Sequence, residues 1–118
     1  MDAERFVAAV REHVMDSAVE ETISVFVSPP GRQPAPELVA LSQWYLGLAP
    51  DDRVMVGRAL AEASHGAVFG LFAVLDGCRR IDDEKTPCEF QLWYEGRDGR
   101  VLLNGVLHEI LNSESWYR

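Results

Sequence analysis

Few residues in this chain have the chemistry to act as ligands, nucleophiles or proton carriers. Glu62 and His65 stand three apart, and on a helix that spacing puts both on one face, as for the carboxylate and imidazole ligands of di-iron bundles. That chemistry uses the pair twice, and no other acidic residue stands three before a histidine. A metal site or small enzyme built on Glu62 and His65 is therefore the second reading, behind a surface glutamate and a partly buried, hydrogen-bonded histidine. His13 with Asp16, and His108 with Glu109, read as solvated helix positions, because nothing in their spacing shows a pocket. Cys78 is expected just past a helix end, where the dipole disfavours a thiolate while Arg79 and Arg80 favour it. With Cys88 nearby, a regulatory disulfide is the second reading, after two idle reduced thiols. No Gly-x-Ser-x-Gly elbow, Gly-x-Gly-x-x-Gly turn or Walker-type loop is present, so no catalytic residue and no cofactor is assigned.

The chain that must position these groups has 118 residues, the length of one domain. Its 47% hydrophobic and 25% charged residues are the balance of a folded globular protein. A net charge of -8 argues against nucleic acid and anionic membrane surfaces as partners. No uninterrupted apolar run approaches the roughly 20 residues of a membrane span. Asp2 and Glu4 replace the basic start of a secretion signal, so the expected location is the cytoplasm.

Phe6, Val7, Val10 and Val14 mark an amphipathic first helix, whereas Val19, Ile23, Phe26 and Val27 form a stripe almost opposite to it. One straight helix cannot bury both. The spacing predicts two helices meeting at Asp16 and Ser17, with Ser17 and Glu20 as a capping box, or else a kink there. Pro29–Pro36 interrupts the pattern, and a third helix is expected from Pro36 to about residue 46, closed by a left-handed Gly47. A long helix follows over about 51–75, ending at Gly77. Its nearly all-apolar second half predicts a place at the centre of the core, with Leu71, Phe72 and Leu75 buried. Gly66 and Gly70 then read as points of close backbone approach.

Over about 89–103 the pattern alternates. Phe90, Leu92 and Tyr94 face one way and Trp93 the other, and Asp98-Gly99 supplies the turn of a β-hairpin. Residues 106–111 suit a short helix capped by Asn104 or a third strand. The expected class is α+β, about four helices with the hairpin packed on them. Strand alternation leaves Trp93 outside, to be covered by Trp116 and Tyr117 or by another protein. Asp82, Asp83 and Glu84 form an acidic run in the loop just before it. Pro29–Pro36, with Arg32, reads as a connector rather than a polyproline ligand.

The Pro-Pro-Gly-Arg loop at 29–32, the Leu41-Ser42 to Tyr45 segment, and Val68-Phe69-Gly70 through Val74-Leu75-Asp76-Gly77 resemble a family of small bacterial proteins of uncharacterised function. The resemblance implies a bacterial, cytosolic, single-domain protein and carries no functional residue with it. Two functions from different classes remain. The preferred one is a small acidic, non-enzymatic interaction module of inhibitor or immunity type, with Trp93, Asp82, Asp83 and Glu84 facing a basic protein surface. A homodimer is a further arrangement of that kind. The other is the metal-binding protein or enzyme using Glu62 and His65.

Overall fold

The computed structural model describes residues 1–86 and 88–113. Its elements follow in the order α1 (Ala3–Val10), a π-helical turn (Arg11–Asp16), α2 (Ser17–Val27), α3 (Pro36–Leu46), α4 (Pro50–Leu75), β1 (Trp93–Gly96), β2 (Gly99–Leu102) and α5 (Leu107–Ser113). The class is α+β, with the tail a helix rather than a third strand.

The opposed stripes of the first two helices are reconciled by the π-helical turn, not by a break. Each residue of a π turn advances the helix by a smaller angle than an α residue, so six of them shift the phase of everything that follows. Val7 and Met15 thereby enter one core, and Phe26 is directed to another side. Ser17 does not cap: its hydroxyl donates to the Glu12 carbonyl five residues back, and Asp16 keeps helical dihedrals.

Val7, Met15, Phe72, Leu107 and Leu111 form the buried core, lined by Phe6, Val68, Phe69, Leu75 and Leu92. It lies between α1, the π turn, the second half of α4, and α5. A smaller apolar contact joins α2 to α3, where the Phe26 and Tyr45 rings pack 5.6 Å apart. The two centres are strung along an elongated molecule of 50 × 33 × 28 Å, with a radius of gyration of 18.1 Å. A compact chain of this length measures about 13 to 14 Å.

α4 packs against α2, the π turn and α5, but its second half is not covered all round. Gly70, Phe72 and Ala73 are buried, but Leu71 is 57% exposed and Leu75 is half-buried. The apolar residues of α4 surround its axis, and the elements packed on it do not cover them all. Gly66 has open space around it, and what crosses Gly70 is the Arg79 guanidinium, not a backbone. By length and composition α4 could cross a membrane, yet its flank is tied to the π turn, where the Ser64 hydroxyl donates to the Met15 carbonyl. Gly47 ends α3 with helical dihedrals, but Gly77 takes the left-handed conformation (φ 81°). The amides of Gly77 and Cys78 bond back to Val74 and Ala73, closing α4 in the double-bonded glycine cap.

The hairpin is antiparallel, pairing Trp93 with Leu102 and Tyr94 with Val101. It is not packed on the helices as a layer. All eight strand residues are exposed, and only the base, buried Leu103 and half-buried Leu92, enters the core region.

Candidate functional site

The C-terminal end of α4 organises the hairpin base and α5. The Leu75 carbonyl, left without a helical partner, accepts from Asn104 Nδ2 at 2.5 Å. The same nitrogen donates to the Phe90 carbonyl at 2.8 Å, and Asn104 Oδ1 accepts from the Leu92 amide at 2.7 Å. Asn104 thus anchors the hairpin base instead of capping α5. The cap comes from Asp76, whose side chain is wholly buried. Its Oδ1 accepts from the Gly105 amide at 2.6 Å, and its Oδ2 accepts from the His108 amide at 2.9 Å.

His108 is largely buried rather than solvated, while its Nε2 keeps the exposed Glu109 Oε1 at 4.0 Å. The His108 side chain is 16% exposed, its Nδ1 lies 2.5 Å from Asp76 Oδ2, and its ring edge meets Phe69 at 6.0 Å. A carboxylate only accepts hydrogen bonds, so Nδ1 donates to Asp76, and in the neutral ring Nε2 is then the acceptor. Facing Nε2 at 3.4 Å is the sulfur of exposed Cys78. An Asp–His–Cys series therefore assembles at the junction of α4 and α5. Spacing along the chain could not reveal it, because the partners lie 30 and 32 residues apart. The nearest signal was the pairing of a helix-end Asp-Gly with a histidine at the next helix start.

Glu62 and His65 share a face of α4 as the spacing requires, Glu62 exposed and His65 half-buried. Burial lowers the pKa of His65; Glu62 opposes that and Arg11 adds to it. The ring stacks on Phe69, centroids 6.2 Å apart. Among the described residues no group of three or more His, Cys, Asp or Glu is arranged to hold a metal ion. His13 is exposed and lies 3.9 Å from Glu12.

Trp93 is 39% exposed on the hairpin, on the same face as Leu102, its cross-strand partner. The Arg100 guanidinium stands 4.5 Å from the centre of its ring and is held by Glu95 at 2.6 Å. The opposite face carries Tyr94 and Val101, 43% and 39% exposed. Trp116 and Tyr117, the expected cover for Trp93, lie outside the described residues. Asp82 accepts from the Glu84 amide and the Arg80 guanidinium, and these contacts, in that order, hold its pKa below the usual carboxylate value. Its charge is thus partly spent within the loop, leaving Asp83 and Glu84 as the outward charges. A cleft of about 170 Å³ brings Asp82 and Ile81 beside Glu89 and Phe90, the approach to β1. The structure thus joins the acidic loop to the hairpin base; it does not bring Glu62 or His65 to either.

Compared with family models, with curated proteins and with solved structures, the chain matches none.

Proposed function

We propose that the protein is a non-enzymatic interaction module, of inhibitor or immunity type, that docks its β1–β2 hairpin on a basic protein surface in the cytoplasm. The observation that carries this reading is the exposure of all eight strand residues, with large apolar side chains on both faces. An isolated two-stranded hairpin is marginal in water, and its edges offer unpaired backbone groups to another chain. Trp93 is pre-ordered by Arg100, which lowers the entropy lost when it becomes a buried anchor. The net charge of -8 and the outward Asp83 and Glu84 favour a partner rich in lysine and arginine.

The test separates anchoring from steering on a captured partner. Trp93→Ala is expected to weaken binding by more than about 1 kcal/mol, mainly through faster dissociation. Neutralising Asp82, Asp83 and Glu84 together is expected to slow association and flatten its salt dependence. Unchanged rates in both folded variants overturn the assignment.

A further inference from the structure

The Asp76–His108–Cys78 series has no part in that docking surface, and its parts are arranged in the order of an activated thiol. The wholly buried Asp76 carboxylate accepts from His108 Nδ1, which in the neutral ring leaves Nε2 as the acceptor. His108 Nε2 lies 3.4 Å from Cys78 Sγ and 4.0 Å from Glu109 Oε1, and the glycine cap on α4 holds the Cys78 backbone, whose amide donates to the Ala73 carbonyl. The thiol itself is exposed. We infer that Cys78 is a reactive thiol, activated by His108, that takes a low-molecular-weight disulfide and becomes reversibly S-thiolated.

The step balances with a disulfide as the only co-reactant. The Cys78 proton passes to His108 Nε2. The sulfur attacks one sulfur of the disulfide, forming the Cys78 mixed disulfide and breaking the S–S bond. The departing half leaves as a thiolate and takes the proton back from the imidazolium. A disulfide suits the site better than an acyl group does. The amides of Cys78 and Arg79, the nearest candidates for stabilising an oxyanion, both bond to the Ala73 carbonyl. Thiol–disulfide exchange develops its charge on sulfur and needs no such donors. Asp76 acts only through His108 and is a positioning residue.

Cys88, also exposed, bonds through its sulfur to the Thr86 carbonyl and provides an internal comparison. In single-thiol proteins, Cys88→Ser to read Cys78 and Cys78→Ser to read Cys88, the probe is dithiodipyridine, an uncharged disulfide. Native Cys78 is expected to react at least about tenfold faster than native Cys88, and faster than Cys78 in urea-unfolded chain. His108→Gln is expected to abolish that advantage, and added imidazole to restore part of it, which a merely structural histidine would not allow. Equal native rates for the two thiols overturn the inference, as does a folded His108→Gln variant that keeps the fast rate. Should His108→Gln fail to fold, the native-to-unfolded ratio at Cys78 decides alone: acceleration on folding supports activation, and slowing or no change overturns it.

Discussion

Asp76 holds His108 twice, accepting from its backbone amide at 2.9 Å and meeting its ring Nδ1 at 2.5 Å. With the Gly105 amide, one buried carboxylate serves three donors and fastens α5 to the end of α4. Truncation orphans those donors and removes a helix cap. Asp76→Ala is therefore expected to cost roughly 2 to 4 kcal/mol in urea denaturation. A loss below about 0.5 kcal/mol would mean that α5 is held by its apolar contacts alone.

Adjacent residues of α4 should respond in opposite ways. Phe72→Ala opens a cavity between α1 and α5 and is expected to cost about 3 to 5 kcal/mol. Leu71→Ala removes a side chain from solvent and is expected to stay within about 0.5 kcal/mol of the parent. The urea midpoints of the two variants check this directly, and equal losses would return Leu71 to the core.

His65 makes stability depend on pH. Its folded pKa lies below the ordinary value of 6.5, so the unfolded chain binds the proton more readily. The stability tied to neutral His65 is then fully present above 6.5 and declines as pH falls from there toward the folded value. His65→Gln is expected to reduce the fall in melting temperature over that range. An unchanged slope would show that His65 is not coupled to folding.

Proline and glycine made the helix boundaries legible. Pro36 and Pro50 stand at the starts of α3 and α4, and Gly77 closes α4, because ring geometry and left-handed dihedrals restrict where these residues fit. Alternation and Asp98-Gly99 likewise marked the hairpin. Leu71 was misjudged because periodicity tells which residues are apolar, not whether a neighbouring element covers them. Asn104 was expected to cap α5 from next door, but the cap comes from Asp76, 32 residues before His108. The Asp76–His108–Cys78 series escaped for the same reason: contacts across elements depend on docking, which local pattern does not encode.

Asn104 sets how the hairpin is presented. Asn104→Ala removes its bonds to Leu75, Phe90 and Leu92, and is expected to destabilise the chain by about 1 to 3 kcal/mol. Amide exchange in residues 92–103 should accelerate beyond the global change, because the hairpin base is released first. Exchange that rises uniformly over all helices would contradict a local anchoring role.

The central claim is that the exposed hairpin engages a basic protein through Trp93. The direct measurement is quantitative mass spectrometry of proteins captured from source lysate on equal amounts of folded parent and Trp93→Ala bait, with light scattering on the free parent. The expected result is a monomeric parent that retains one lysine- and arginine-rich protein, depleted on Trp93→Ala by at least about fivefold, the equivalent of losing about 1 kcal/mol. The same proteins in the same amounts on both baits would contradict the claim. So would a parent dimer that Trp93→Ala dissociates, since the hairpin would then be covered by a second copy of the chain.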